Sequence, residues 1–217
     1  MEEKDLKQNI DAAEAVPEET PEARKKRYAV EAYDWFDTIL FSVLSVVVIF
    51  TLFTRLSSVD GNSMLPTLHD KERLLVTDMF YKPQHNDIVV LWAENLPAES
   101  GEGYGKAIVK RVIGVGGDKI SIDFGKGVVY RNGEALPLEV SDGVLYEDGH
   151  AINDYTRAPI DFSGEITVPE GQIFVLGDNR NGSSDSRDDR IGLVDENYII
   201  GKVYLRIMPF DKFGGVV

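Results

Sequence analysis

The sequence predicts a mostly β protein: an antiparallel β-sheet domain with a smaller β excursion, preceded by one N-terminal transmembrane α-helix. Two observations support this fold class. An uncharged apolar run lies near the N-terminus, and short β-branched and aromatic runs separated by Gly, Asn, Asp and Pro follow it. No long amphipathic helix pattern competes with these runs. With 217 residues, the chain has room for one membrane span and one folded domain.

Residues 1–33 are predicted to form a disordered acidic tail that ends in a basic cluster beside the membrane. The first 23 residues hold eight carboxylates against two lysines, with two prolines and few large apolar side chains. Such a segment buries too little surface to offset the entropy of ordering. An interaction role for the tail is the alternative. The net charge of −14 argues against a nucleic-acid surface, which would carry a clustered basic face.

Residues 34–56 are predicted to form the transmembrane helix. From Thr38 to Thr54 there are 17 residues without a charge, and flanking residues extend this helix toward a hydrocarbon core about 30 Å thick. The alternative is a buried core helix, but apolar residues surround the segment on every side. Basic residues at 24–27 precede the run, whereas Arg55 alone follows it. This asymmetry predicts a single-pass protein of the cell membrane with a cytoplasmic N-terminus.

Residues 57–217 are predicted to form the extracytoplasmic domain. Its strands are expected at seven short runs: 73–77, 87–92, 107–115, 119–123, 127–131, 172–176 and 198–207. An Asn-Gly pair at 132–133 follows one of these runs and indicates a hairpin. The stretch 137–165 is polar and irregular, so residues 124–169 are predicted to form an inserted subdomain outside the main sheet.

A serine and a lysine are candidates for nucleophilic catalysis. Ser63 lies in the segment Gly-Asn-Ser-Met-Leu-Pro-Thr-Leu at 61–68, shortly after the apolar run. A serine hydroxyl is a poor nucleophile unless a base lies within hydrogen-bond reach. Lys110 would share a strand face with Ile108 and Val112, and apolar surroundings lower the pKa of an amine. From this segment alone, a lysine that reaches solvent is the alternative.

The composition excludes several other chemistries. The chain has no cysteine, which rules out disulfides, thiolate metal sites and thiol catalysis. The three histidines, at 69, 85 and 150, are scattered, with no spacing that would bind a metal from one helix. We therefore expect neither a metal nor a cofactor.

A dense polar loop, Gly-Asp-Asn-Arg-Asn-Gly-Ser-Ser-Asp-Ser-Arg at 177–187, directly follows the apolar strand at 173–176. Small polar and charged residues in this place suit a rigid hydrogen-bonded loop. A calcium-binding turn is the alternative, since the segment is rich in oxygen ligands. Arg180, Arg187 and Arg190 are interspersed, however, and would oppose a bound cation.

Together these segments resemble the bacterial type I signal peptidases, the membrane-bound Ser–Lys proteases that remove leader peptides from exported proteins. The resemblance covers about residues 35–207 and follows the family's order: a span, Gly-x-Ser-Met-x-Pro-Thr-Leu, Asp-Ile-Val-Val, Val-Lys-Arg-Val-Ile-Gly-x-x-Gly-Asp and Gly-Asp-Asn-Arg-x-x-Ser-x-Asp-Ser-Arg. It implies that Ser63 is the nucleophile, that Lys110 is the general base and that Ser183 hydrogen-bonds the lysine amine. The implied partners are signal-peptide-bearing preproteins and the lipid bilayer, and a monomer is expected.

The resemblance also implies supporting and substrate-binding residues. Asp178 is expected to pair with Arg111, and Asp185 with Arg187, as braces for the polar loop. Five residues fall where family members line shallow apolar pockets for small side chains: Val59, Met64, Leu68, Ile108 and Val109. The substrate would lie as an extended strand beside the 107–110 strand.

One departure from the family concerns the oxyanion hole. Some relatives carry a serine two positions before the nucleophile, where this chain has Gly61, a pattern that resembles the Gram-positive branch. Stabilisation of the oxyanion would then come from the Ser63 N–H and from another amide or a water.

The sequence leaves three alternative functions open. A self-cleaving repressor of the Ser–Lys type would be soluble and carry a DNA-binding domain, and neither property fits residues 1–56. A specialised processing peptidase with few substrates would have the same pair of catalytic groups. A membrane-anchored β-domain could instead bind peptides or act as a scaffold, with Ser63 as a turn residue and Lys110 as a surface lysine.

Overall fold

The computed structural model describes residues 20–97, 104–156, 162 and 164–216. The disorder predicted for residues 1–19 lies outside these residues. Contacts divide the chain into two units, Met1–Phe50 and Thr51–Val217.

Helix α1 comprises Pro21–Phe53. Pro21 occupies the first helical position, where a missing N–H costs little, and the Arg24 N–H donates to the Thr20 carbonyl at 3.0 Å. Residues 21–33 are therefore helical, and the prediction of a disordered tail over them is wrong. Their content of Ala, Arg, Lys and Glu favours helix. Within the described part of the chain, no helix combines the length and hydropathy needed to cross a membrane.

The C-terminal end of α1 is set by strand pairing. Thr54–Ser58 forms strand β1, which pairs antiparallel with β2, Arg73–Thr77, and places Thr54 opposite Thr77. The predicted helix end at residue 56 is therefore three residues too late. The backbone groups of β1 are satisfied by β2 instead of by a further helical turn, and local hydropathy does not encode this distant partner.

The main sheet is antiparallel and carries the lysine candidate near its centre. Its further strands are β3 (Ile88–Pro97), β4 (Tyr104–Gly114), β12 (Gln172–Leu176), β13 (Val194–Asp195), β14 (Ile199–Met208) and β15 (Gly214–Gly215). Among the described residues it has eight strands in the order β1-β2-β14-β3-β4-β12-β13, with β15 beside β14. Strand β4 therefore lies between β3 and β12.

Two smaller sheets form between β4 and β12. One has the order β11-β5-β6-β7 and consists of Glu165–Thr167, Lys119–Asp123, Val128–Arg131 and Glu134–Ala135. The other has the order β10-β9-β8 and consists of His150–Ile152, Val144–Glu147 and Leu138–Ser141. All pairings in both sheets are antiparallel.

The prediction that the stretch 137–165 is irregular is wrong for residues 138–152, which form three strands. Strands β8, β9 and β10 are joined by Asp-Gly pairs at 142–143 and 148–149, and all four of these residues have positive φ. Two residues of positive φ match the twist of a tight hairpin. The Asn-Gly hairpin predicted at 132–133 is confirmed, since it joins β6 to β7 with positive φ at both residues.

The seven predicted runs all contain strands. Three have the predicted bounds, 73–77, 119–123 and 172–176, and the others differ at their ends. Strand β3 is buried on both faces: Val89 and Leu91 pack in one apolar cluster, and Ile88 and Val90 pack in another. Alternate side chains of a strand point to opposite faces, so β3 lies between two apolar layers, and it pairs with β4 along one edge.

Candidate active site

Ser63 lies on the turn that connects β1 to β2. The Val59 N–H donates to the Glu72 carbonyl at 2.9 Å and closes the base of this connection. The Gly61 N–H donates to Asp70 Oδ1 at 2.9 Å, and Gly61 has a φ of +86°. A Cβ at this position would meet no atom within 4 Å, so the turn requires glycine for its backbone conformation rather than for space.

Lys110 lies in β4 and is 2 % exposed. Its Nζ donates to Ser63 Oγ at 2.8 Å and to the Val109 carbonyl at 3.1 Å. Burial lowers the pKa of the Lys110 amine to about 8, and the nearby Asp185 carboxylate opposes this shift. The alternative of a lysine that reaches solvent is therefore wrong.

Two buried ion pairs brace the polar loop after β12, as the resemblance implies. Arg111 donates to Asp178 through Nε at 2.9 Å and through Nη2 at 2.8 Å. Arg187 donates to Asp185 through Nε and Nη2, each at 2.8 Å. All four side chains are at most 1 % exposed. Bidentate pairs of this kind fix orientation, because a guanidinium matches a carboxylate in only a few ways.

Ser183 does not make its expected contact. Its Oγ donates to the Ser184 carbonyl at 3.4 Å, and the Lys110 amine hydrogen-bonds Ser63 and Val109 instead. The hydroxyl faces Gly177, since a Cβ on that glycine would lie only 2.2 Å from Ser183 Oγ. The prediction of a direct Ser183–Lys110 hydrogen bond is therefore wrong in this structure.

Ser63 and Lys110 lie at the wall of a cleft of about 380 Å³. Four of the five predicted pocket residues line it: Val59, Met64, Ile108 and Val109. Leu68 does not. Its N–H donates to the Met64 carbonyl at 2.9 Å, and its side chain is fully buried in the core beside Leu74. Lining residues that the sequence did not single out include Val90, Leu96 and Ala107.

Two side chains that the sequence analysis did not single out join the Ser63 turn to the polar loop. Thr67 Oγ1 donates to Asp178 Oδ2 at 2.5 Å. The Asn179 N–H donates to the Ser63 carbonyl at 3.0 Å, and Asn179 Nδ2 donates to the Asn62 carbonyl at 2.9 Å. Asn179 lies in the Gly-Asp-Asn-Arg motif, so the sequence contained a signal for it. The motif did not indicate which backbone groups it would hold.

Comparison with known proteins assigns this chain to a family. The family model described as "Signal peptidase, peptidase S26" matches residues 32–208 of the chain. The chain belongs to the signal peptidase family, peptidase S26. Signal peptidases are serine endopeptidases that remove signal peptides from preproteins, and membership places this chain among them.

Individual signal peptidases are similar over most of the chain. "Probable signal peptidase I-1" of Synechocystis sp. is 32% identical over 160 residues, which are 72% of each chain. "Signal peptidase IB" of Staphylococcus aureus is 31% identical over 193 residues, 84% of this chain and 93% of that relative. The crystal structure of a signal peptidase I from Enterococcus faecalis is 28% identical, with a TM-score of 0.36, and the match covers 56% of this chain and 97% of that one.

Proposed function

We propose that this signal peptidase cuts signal peptides from exported preproteins with Ser63 as the nucleophile and Lys110 as the general base. The observation that carries the proposal is the 2.8 Å contact between the Ser63 hydroxyl and a buried amine. Because burial lowers the pKa of Lys110 to about 8, a sizeable fraction of the amine is neutral near physiological pH. A neutral amine can accept the hydroxyl proton, whereas an ammonium cannot.

The reaction is amide hydrolysis in two stages. Neutral Lys110 takes the proton of Ser63 Oγ as this oxygen attacks the scissile carbonyl, and the resulting ammonium gives that proton to the leaving nitrogen. Water then attacks the acyl-enzyme while the same amine accepts a proton from it, and the ammonium gives this proton to Ser63 Oγ as the ester bond breaks. The serine is regenerated, and no other reactant is needed.

The Ser63 N–H is the first donor for the oxyanion. Within the described part of the chain this N–H makes no hydrogen bond, and Ser63 lines the cleft. A donor that is already oriented and unoccupied can stabilise the charge that develops on the carbonyl oxygen. Gly61 offers no side chain for this task.

The substrate lies as an added strand beside the N-terminal half of β4. Strand β3 pairs with β4 back to Tyr104, whereas β12 pairs with it only from Arg111 to Gly114. Among the described strands, residues 104–110 therefore have a partner on one side only. An extended peptide can satisfy that edge by main-chain hydrogen bonds. The cleft residues Val59 and Met64 then contact the small side chains before the cut.

Ser63→Ala tests this function. The detergent-solubilised chain is incubated with a leader-bearing preprotein, and the new N-terminus is identified by mass spectrometry. The wild-type chain should release the leader, and Ser63→Ala should not, although its circular dichroism and thermal unfolding remain those of the wild type. Cleavage by Ser63→Ala would remove Ser63 as the nucleophile. A peptide-binding scaffold would retain its function in this variant.

We further propose that the helical residues 34–53 anchor the enzyme in the cell membrane, behind a cytoplasmic segment 1–33 and ahead of the extracytoplasmic catalytic unit, which begins with β1 at residue 54. The full uncharged run 38–54 includes residues 49, 50 and 52, which lie outside the described side chains. The described apolar side chains of α1 are exposed around the whole helix, among them Phe36, Phe41 and Val47. A helix that is apolar on all sides fits a hydrocarbon environment.

The absence of cysteine allows a direct test of this topology. In cells that express Asn9→Cys or Lys126→Cys, a membrane-impermeant maleimide should label residue 126 without permeabilisation and residue 9 only after it. Both variants should stay in the membrane pellet after alkaline carbonate extraction. Release by carbonate, or labelling of residue 9 in intact cells, would contradict the anchor or its orientation.

The enzyme acts as a monomer on preproteins, without a nucleic-acid partner. Ser63 and Lys110 contact each other within one chain, so a second copy is not needed to bring these two reacting groups together. The net charge of −14 disfavours nucleic acid. Light scattering in detergent, with the detergent contribution subtracted, should give the mass of one chain.

A further inference from the structure

Asn153 contacts three consecutive residues of the polar loop. It directly follows β10, in the smaller sheet region, and its N–H donates to the Asp178 carbonyl at 3.1 Å. Asn153 Oδ1 accepts from the Arg180 N–H at 2.6 Å, and Asn153 Nδ2 donates to Asn179 Oδ1 at 2.7 Å. One residue outside the main sheet thus hydrogen-bonds both the backbone and a side chain of the loop that faces Ser63.

Asn179 links Asn153 to the turn that carries Ser63. Its amide oxygen is taken up by Asn153, so its amide nitrogen points to the Asn62 carbonyl, to which it donates at 2.9 Å. Its backbone N–H donates to the Ser63 carbonyl at 3.0 Å. An Asn side chain has one acceptor end and one donor end. Because Asn153 Nδ2 donates to the Asn179 amide oxygen, the Asn179 amide nitrogen faces the Asn62 carbonyl.

A buried ion pair joins the sheet that precedes Asn153 to the polar loop. Glu147 of β9 and Arg180 of the loop form an ion pair at 2.5 Å, and their side chains are 1 % and 0 % exposed. Arg180 Nη1 also donates to Thr156 Oγ1 at 3.2 Å. If β9 moved away from the loop, Glu147 and Arg180 would each be left as an unpaired buried charge. The ion pair therefore favours the packing of β9 against the loop.

Space around Asn179 is also restricted. A Cβ on Gly182 would lie 2.7 Å from Asn179 Nδ2. The side-chain amide is therefore packed against the loop's own backbone. Its orientation then depends on the hydrogen bonds that it makes.

We propose that Asn153 is a positioning residue for the cleavage reaction: it orients the Asn179 amide, which holds the Asn62–Ser63 backbone so that Ser63 Oγ meets Lys110. The proposal rests on the proposed role of Ser63 as the nucleophile. It assigns the three-stranded sheet β8–β10 a task in catalysis, although the nucleophile and the base lie in other elements.

The test compares Asn153→Ala and Asn153→Asp with a matched control, Asn181→Ala. Asn153→Asp keeps the acceptor for the Arg180 N–H and loses the donor to Asn179. Asn181 links the same two segments at a different place, since its Nδ2 donates to Asp154 Oδ2 at 3.3 Å and to the Tyr155 carbonyl at 3.1 Å. Full-length protein in detergent is assayed for kcat and KM on a leader-bearing peptide.

Both Asn153 variants should lower kcat by about 10²-fold with little change in KM, because small displacements of a reacting group cost about this much. Asn181→Ala should stay within about twofold of the wild type. The pH midpoint of kcat/KM should not move in Asn153→Ala or Asn181→Ala, since the burial that lowers the pKa of Lys110 is retained in both variants. Adding Asn179→Ala to Asn153→Ala should cause little further loss, because both changes remove the same constraint.

The outcomes separate this proposal from the proposed function. If the wild-type chain and Asn181→Ala do not cleave, the function itself fails. If the wild type cleaves, and the Asn153 variants cleave equally fast or lose activity only in proportion to unfolding, the positioning role is overturned. Should Asn153→Ala not fold, Asn153→Asp decides alone, because it retains the contact to Arg180.

Discussion

Lys110 Nζ and Ser63 Oγ lie 2.8 Å apart, although 47 positions separate the two residues in the chain. The contact joins the middle of β4 to the turn between β1 and β2. The amine is buried there, and burial lowers its pKa to about 8. This contact therefore places a base with a lowered pKa within hydrogen-bond distance of the Ser63 hydroxyl proton.

The activity should depend on pH through the Lys110 amine. Since only the neutral amine can accept the Ser63 proton, kcat/KM should rise with pH and level off above an inflection near 8. Initial rates on a leader-bearing peptide from pH 6 to pH 10 measure this profile. Lys110→Arg should be inactive throughout, because a guanidinium does not lose its proton in this range. A flat profile in the wild type would contradict the lysine base.

Burial of the Lys110 amine should cost stability, and Lys110→Met should recover it. A pKa drop from 10.5 to about 8 corresponds to a cost on the order of 3 kcal/mol, at about 1.4 kcal/mol per pKa unit. Well below pH 8 the folded and unfolded states both hold the proton, and the whole cost is present. Between pH 8 and 10.5 the unfolded state binds more protons, so the wild type gains stability as pH rises.

The measurement is urea unfolding of both proteins at pH 7 and at pH 10. Lys110→Met should be more stable than the wild type at pH 7, and the difference should narrow by pH 10. An inactive variant that is less stable at pH 7 would argue that the amine contributes favourably to folding.

The Arg111–Asp178 pair should be a main support of the polar loop. Arg111→Met keeps the aliphatic stem and leaves the buried Asp178 carboxylate unpaired, which should lower the free energy of unfolding by about 3–5 kcal/mol. Lys126→Met is the control, since Lys126 pairs with Asp123 at the surface. Exposed pairs contribute little, so this variant should unfold at the wild-type urea concentration. Equal effects of the two substitutions would contradict the bracing role.

Gly177→Ala should displace the nucleophile. A Cβ on Gly177 would lie 2.2 Å from Ser183 Oγ and 2.5 Å from the Ser63 carbonyl, so the turn or the loop must move. We expect kcat to fall by about 10²-fold. Gly215→Ala is a matched control, because a Cβ there meets nothing within 4 Å. Wild-type kcat in Gly177→Ala would mean that the Ser63 backbone tolerates this shift.

Many of the strands could be predicted from local composition. The strands β2, β5 and β12 have their predicted bounds, since β-branched runs ended by turn residues are a local signal. The Asp-Gly pairs at 142–143 and 148–149 are a signal of the same kind, yet the three strands that they join have only three or four residues each and were not predicted. Helix α1 begins earlier than predicted, because the acidic and basic residues after Pro21 favour helix as well as solvent.

Residues of the candidate site could be predicted where they belong to one of the family's sequence motifs. The pairs Arg111–Asp178 and Arg187–Asp185 follow the resemblance, and so do four of the five cleft residues. Leu68 and Ser183 depart from it, since a hydrogen bond to Met64 places Leu68 in the core and the Ser183 hydroxyl turns toward Gly177. Side-chain direction in a turn depends on neighbours from distant strands, which spacing along the chain does not contain.

From the amino-acid order alone came the strand-rich fold, the apolar run and the pairing of Ser63 with Lys110 as reactive groups, because composition and motif spacing are properties of the chain itself. Tertiary structure decided how deeply the Lys110 amine is buried, where α1 ends and β1 begins, and that Asn153 hydrogen-bonds the loop that faces Ser63. Burial and hydrogen-bond partners arise only when β4, the Ser63 turn and the β8–β10 sheet pack together.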